Sequence, residues 1–396
     1  MHGKFHTTKI VPTHRPVAMF VSLILLTALA CQAVENLDQR LQPFETTPTP
    51  QQSISQVTES SPSLPAEATP TPIQAETLRS AVAKRDFRIG TAFNWGYLNG
   101  DPEYRDLLIH QFNLVTPENE MTFGSLHPAP DRYDFATADE MVDYARQNGM
   151  LVRGGSLVWD QLLPDWLLNG NYSREQVKQI LHDYIHTVVS HFRGKVAIWD
   201  PVNEAISADG QLRDTFWSRA IGPQYIALAF KWAHEADPDA LLFYNDFNGE
   251  GLNRKSDAIY ALVQGLQQAG IPIDGVGWQM HALLGQPPSA IELAANFKRL
   301  ADLGVEVAIT EMDVRVGVNR QERPARLLTQ AEIYRRVLRA CLDASNCNLF
   351  EVWGVTDHYS WYNVGKDPSQ YDAPLLFDDN GDPKPSFYAL LDELNK

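Results

Sequence analysis

An α/β fold, specifically a (β/α)8 TIM barrel preceded by a signal peptide and a disordered linker, is what the residue pattern predicts. Eight short β-rich stretches alternate with helical segments beyond residue 81. The alternation fills roughly 300 residues, and such barrels have a core of about 250. The rival, an open doubly wound sheet, usually has a glycine-rich phosphate loop after its first strand. Here that turn reads Ile89-Gly90-Thr91-Ala92, which is no such loop.

The first thirty residues have the layout of an export signal. Lys4, Lys9 and Arg15 precede an apolar run at 17–30, which is short for a membrane span and suits a removable peptide. The run ends in Leu26-Thr27-Ala28-Leu29-Ala30-Cys31, which resembles a bacterial lipoprotein cleavage site with Cys31 as the lipid carrier. Ordinary secretion is the competing reading. Both place the protein outside the cell or on the bacterial cell surface.

From 31 to 80 the chain is rich in Pro, Thr, Ser, Gln and Glu and almost free of aromatics. Such a segment buries too little apolar surface to offset its ordering entropy, so it is expected to be a flexible stalk. The catalytic domain is expected at 81–396.

Candidate strands lie at 87–93, 114–116, 151–158, 196–200, 241–245, 275–279, 305–310 and 350–354. The clearest helix starts after Ser173, whose capping box is completed by Gln176. Its Val177, Ile180, Leu181, Tyr184, Ile185, Val188 and Val189 repeat at three-and-four spacing and mark one buried face.

Barrels of this kind carry their active sites at the C-terminal ends of the strands. In chain order these ends offer Asn94; Glu118 and Asn119; Trp159 and Asp160; Asn203 and Glu204; Asn245, Asp246 and Phe247; Gln279 and His281; Glu311 and Asp313; Trp353, Asp357 and His358. Nearly every strand ends in an acid, an amide or an aromatic, which a scaffold would not need. Two of them, Glu204 and Glu311, supply the paired carboxylates that cleavage of a glycosidic bond requires.

Composition excludes other functions. The formal charge of −16, with no run of Lys or Arg, speaks against nucleic acid and anionic membrane. A neutral sugar polymer is indifferent to that charge, and nine Trp supply faces on which sugars stack. No spacing suggests a metal, no cofactor is expected, and Asp378-Asp379-Asn380-Gly381-Asp382 reads as a turn. The protein is expected to be a monomer.

From 87 to 388 the chain resembles glycoside hydrolase family ten, the endo-β-1,4-xylanase family. The segments that carry the resemblance are Gly90-Thr91-Ala92, Asn113 through Met121, Trp199-Asp200 with Val202-Asn203-Glu204-Ala205, Tyr244-Asn245-Asp246, Gln279-Met280-His281, Ile309 through Asp313 and Trp353 through Asp357. The resemblance implies a retaining hydrolase of xylan, with Glu204 as acid/base and Glu311 as nucleophile about 5 to 5.5 Å apart. Esterification of Glu311 removes a negative charge beside Glu204, so one side chain can serve first as acid and then as base.

The resemblance also implies that His281 supports Glu311 with Asp313 behind it, that Asn203 binds the sugar 2-hydroxyl and that Gln279 holds the acid/base region. Glu118, Asn119, Trp159, Asn245 and Phe247 are implied to contact substrate, and Trp353 and Trp361 to wall the cleavage point. Cys341 and Cys347 fall where the family often carries a disulfide. The chain departs from the family at Thr122, where a lysine is usual, and at Gly155 and Asp160, where histidines are usual. These glycone-side changes predict weaker binding of plain xylan or an altered preference. Decorated xylan, another β-1,4-glycan, and a binding lipoprotein without catalysis are the alternatives.

Overall fold

The computed structural model describes residues 76–320 and 322–396. The export signal, Cys31 and the stalk up to residue 75 lie outside the described residues. Among the described residues the first element begins before residue 81. Leu78–Val82 is a helix capped by Thr77 and Ser80, and its Leu78 and Val82 are buried in the core.

Among the described residues nine strands join one parallel sheet. They are β1 (Arg88–Phe93), β2 (Leu114–Pro117), β3 (Leu151–Gly154), β4 (Ile198–Asn203), β5 (Leu241–Asp246), β6 (Gly275–Trp278), β7 (His281–Leu283), β8 (Glu306–Arg315) and β9 (Cys347–Val352). Pairing runs from β1 to β6 in sequence order, β6 then pairs with β8, β8 with β9, and β9 with β1. That circuit closes the eight-stranded barrel. The short β7 lies outside it, in register with the far end of β8, His281 opposite Asp313.

Two expected strand ends are corrected. β8 runs on to Arg315, so Glu311 lies within a strand whose far half pairs with β7. β3 stops at Gly154, so residues 155–158 leave the sheet. Gly154 has a packing reason to be glycine: a Cβ there would approach Cζ3 of the buried Trp199 to 2.6 Å.

Period-two alternation sorts each strand between helix layer and barrel interior. Val115, Val152, Trp199, Tyr244, Ile309 and Phe350 join the large outer core. Leu114, Ile198, Phe243, Ala308 and Leu349 form a separate small cluster. One step further along the same strands come Thr116, Arg153, Asp200, Asn245, Thr310 and Glu351, all buried and polar. An apolar plug thus underlies a polar layer, and the polar layer underlies the strand ends.

The helix Arg174–His191 has the expected Ser173–Gln176 capping box, and of its predicted face Ile180 alone is half-buried. Cys341 and Cys347 form a disulfide with Cα atoms 5.1 Å apart, tying the helix Arg323–Asp343 to the start of β9. The Asp378–Asp382 acids make a turn in which Asp378 Oδ1 accepts the N–H groups of Asn380 and Asp382.

Candidate active site

β4 carries Pro201, which has no N–H to give the ladder, and its register with β5 shifts between Trp199 and Val202. Just beyond, Glu204 has φ +59, a left-handed conformation that costs a non-glycine residue on the order of 1–3 kcal/mol. Hydrogen bonds to β5 hold it there. Glu204 N–H donates to Asn245 O at 2.9 Å, Ala205 N–H to the Tyr244 hydroxyl at 3.0 Å, and Ile206 N–H to Asp246 Oδ2 at 3.3 Å.

From this point a chain of amides crosses to β8. Gln279 Nε2 donates to Glu204 Oε1 and to Asn203 Oδ1, both at 3.2 Å. Asn245 Nδ2 donates to the same Asn203 oxygen at 3.1 Å and to Glu311 Oε1 at 2.7 Å. The Thr310 hydroxyl donates to Asn245 Oδ1 at 2.7 Å, which fixes the direction of that amide. Both carboxylates are buried yet line one cleft, with exposures of 8% for Glu204 and 7% for Glu311.

His281 completes the surroundings of Glu311. Burial disfavours its charged form, but Asp313 and Glu311 outweigh that and hold it well above the usual imidazole range. As an imidazolium it donates from Nδ1 to Asp313 Oδ2 at 2.8 Å and from Nε2 to Glu311 Oε2 at 3.1 Å. Trp361 Nε1 donates to the same Asp313 oxygen at 2.9 Å. A carboxylate gripped by one amide and one imidazolium has a fixed position and both oxygens occupied.

This strand-end chemistry has close relatives. Residues 77–393 match the sequence profile of glycosyl hydrolase family 10. The chain belongs to that family. It is 42% identical over 315 residues to endo-1,4-beta-xylanase B of Thermotoga neapolitana, covering 79% of this chain and 90% of the relative. To the beta-1,4-xylanase of Dictyoglomus thermophilum it is 41% identical over 322 residues, covering 78% and 89%. The crystal structure of xylanase 10B from Thermotoga petrophila RKU-1 with xylobiose superposes with a TM-score of 0.78 at 40% identity, covering 81% of this chain and 98% of that one.

In this family 10 hydrolase several working residues were not singled out from sequence. Arg213 Nη1 donates to Glu204 Oε2 at 2.9 Å and to the Glu204 carbonyl at 3.0 Å, setting a cation against the carboxylate from the side away from Gln279. Its only signal is its place in the loop nine residues after Glu204. Glu250 is fully buried, and Oε1 accepts the N–H groups of Asn248 at 3.1 Å and Met280 at 3.0 Å. Both of those residues have positive φ, +56 and +61. Burial pushes the Glu250 carboxyl up, and the backbone N–H donors resist.

Beneath them lies a buried ion cluster. Arg153 pairs with Asp200 and, at 3.2 Å, with Glu351 Oε2, while Nη1 also donates to Thr310 O at 3.3 Å. One guanidinium so connects β4, β8 and β9 under the two glutamates. Burial outweighs it at both acids, raising Asp200 to about 6 and Glu351 to about 7. The signal was there: a lone charge inside an apolar stretch of a short strand, as in Leu349-Phe350-Glu351-Val352, faces the barrel interior.

The implied binding residues divide. Glu118, Asn119, Trp159, Phe247, Trp353 and Trp361 line the cleft of about 780 Å³ with the carboxylates. Burial, with Glu120 close by, pushes Glu118 up to about 7. Asn245, expected to contact substrate, lies behind Glu311 and is 1% exposed. Asp313 likewise stands behind His281.

The three departures divide too. Thr122 and Gly155 line the cleft. The Thr122 hydroxyl donates to Asn119 O at 2.8 Å, so it serves its own turn. A Cβ on Gly155 would sit 3.1 Å from the Asp200 Cβ. Asp160 has a partner in the backbone: its Oδ1 accepts the Phe216 N–H at 2.7 Å at the start of the helix Phe216–Ala220. Among the described residues no group of three or more His, Cys, Asp or Glu is arranged to hold a metal ion.

Proposed function

We propose that this protein is a retaining endo-β-1,4-xylanase that hydrolyses internal β-1,4-xylosidic bonds. The observation that carries the reading is the continuous hydrogen-bonded path from Glu204 through Gln279, Asn203 and Asn245 to Glu311, with His281 on the nucleophile's other oxygen. Glu311 attacks the anomeric carbon while Glu204 gives its proton to the leaving oxygen, and a covalent glycosyl-enzyme forms. Glu204 then takes a proton from water, which attacks the same carbon and frees Glu311 with net retention. Asn203, held by two amide donors, offers its own amide to the sugar 2-hydroxyl, a contact that strengthens as positive charge grows on the ring.

The decisive experiment follows a ladder of linear xylo-oligosaccharides by mass spectrometry and the anomeric signal of fresh products by NMR. Internal cleavage with β-configured product is expected. α-Configured product would exclude double displacement, and no product from any length would exclude the xylan reading.

A second reading follows from Thr122 and Gly155, which leave one side of the cleft short of hydrogen-bond donors. It is a glycosidase of the same fold acting on decorated xylan or on another β-1,4-glycan. A binding lipoprotein without catalysis accords poorly with a complete set of Asn203, Glu204, Gln279, His281 and Glu311. We also propose export: the basic start and apolar run support it, and Cys31 is the expected lipid carrier. Globomycin treatment that leaves the precursor unprocessed would be expected of a lipoprotein, and unaltered processing would favour ordinary secretion.

A further inference from the structure

Most basic side chains at the strand ends are matched by an acid. Arg153 meets Asp200 and Glu351, Arg213 meets Glu204, and Lys255 meets Asp246 at 2.7 Å. Arg315 and Lys366 are different. Among the described residues neither side chain has a carboxylate or other hydrogen-bonding partner, and both are half-buried rather than free in solvent. Arg315 ends β8 opposite Leu283 of β7 and places its guanidinium 4.7 Å from the centre of the Tyr362 ring. Lys366 places Nζ 3.4 Å from the centre of the same ring.

The ring they share is anchored to the active site. Tyr362 follows Trp361, with the two rings edge-on at 6.0 Å, and Trp361 is hydrogen-bonded to Asp313. Asp313 stands two residues before Arg315 on the same strand. Arg315 is therefore held by β8 at the cleft wall, and Lys366 lies in the turn that follows Tyr362.

A tyrosine face attracts a cation but does not cancel its charge. Two like charges sharing one ring still repel. Two neighbouring acids are engaged by backbone N–H groups. Asp367 accepts the Ser369 N–H, and Asp372 accepts those of Val316, Gly317 and Ala373. In a chain of net charge −16 this leaves two cations with no directly paired acid, of which Arg315, with Trp361 and Val364, lines the substrate cleft.

We propose that Arg315, at the cleft wall beside Tyr362, binds the carboxylate of a uronic acid side branch on the polysaccharide whose backbone lies against Glu311, with Lys366 on the same ring adding positive charge. The planar guanidinium takes a carboxylate through two parallel hydrogen bonds, and the ammonium adds a point charge. The proposal rests on the reading of the cleft as a site for a β-1,4-linked xylan backbone. It adds a requirement for negative charge on the branch.

The test compares wild type with the Arg315→Gln, Lys366→Gln double variant on three substrates: linear xylo-oligosaccharides, uronate-branched xylan, and the same xylan after its carboxyls are reduced to alcohols. The double variant is expected to lose about tenfold in kcat/KM on the uronate-branched polymer. Read as a ratio, its selectivity for the uronate-branched polymer over the linear and the carboxyl-reduced substrates is expected to fall about tenfold, and added salt is expected to erase the wild-type preference. An equal drop on all three substrates, or no drop on the uronate polymer, overturns the proposal. Failure of wild type to cleave even the linear substrate removes the xylan reading instead. In that event affinity of Glu311→Ala protein for the acidic and the carboxyl-reduced branched oligosaccharides decides the charge requirement, and equal affinity overturns it.

Discussion

The half of the cleft built on β4, β5, β6 and β8 directs its polar side chains at the two glutamates, whereas the half built on β2 and β3 directs several of them at its own backbone. On the first side Gln279, Asn245, His281 and Arg213 all place donors on Glu204 or Glu311. On the second, the Thr122 hydroxyl bonds a carbonyl of its own turn, Asp160 caps a neighbouring helix and Gly155 has no side chain. The reaction centre is thus fully furnished, while the place where part of the sugar chain rests is open to change without touching the chemistry.

The largest effect tests the furnished half. Glu311→Ala is expected to lower kcat on the order of 10⁴-fold or more with little change in melting temperature, because the residue acts as a unit with Glu204. A residual rate within tenfold of wild type would mean that the two halves do not differ as described.

The ion cluster beneath both halves gives the next effect. Glu351 is raised from 4.5 to about 7, so the folded protein holds this proton more tightly than the unfolded chain does. Stability from this source is complete below pH 4.5 and is lost as pH rises towards 7, by up to about 3 kcal/mol. Glu351→Gln should flatten the fall of melting temperature across that window, as followed by calorimetry. A variant whose melting temperature falls as steeply as wild type would place the proton elsewhere.

His281→Asn removes the donor to Glu311 while keeping a polar side chain, and a loss of about 10–100-fold in kcat is expected, larger than the change in KM. In the sparse half, Thr122→Lys restores a charged donor towards the cleft. It should lower KM for linear xylo-oligosaccharides by about tenfold and leave kcat unchanged, the size of one charge-assisted hydrogen bond. An unaltered KM would show that the openness of this side is not what limits binding. Asp160→Ala gives the smallest effect, about 1 kcal/mol of stability from the lost helix-start contact. Its KM should match wild type, since the carboxylate does not face substrate.

The barrel was readable because its signals are local: apolar stretches of strand length, capping boxes and polar residues at strand ends. The carboxylate pair was readable for the same reason, with Asn203-Glu204 and Glu311 flanked by β-rich sequence. What escaped depends on direction in space. Asp160 and Trp159 are neighbours in the chain, yet Trp159 lines the cleft and Asp160 turns to Phe216. Arg213 meets Glu204 only because the intervening loop doubles back, with Ile206 bridged to Leu212. Asn245 is implied to contact substrate, but at 1% exposure it lies behind the Glu311 that it positions. Arg153 and Glu351 each stand as a lone charge in an apolar strand, but that they meet one another follows only from closure of all the strands together.

Glu250 has a consequence for anyone redesigning this cleft. One hidden oxygen clamps Asn248, in the loop after β5, and Met280, between β6 and β7, each in a backbone shape few side chains tolerate. The two loops are mechanically joined. Grafting either from another enzyme without its companion would unseat Gln279 and His281 on either side of Met280, so exchange of substrate preference here must be made in pairs.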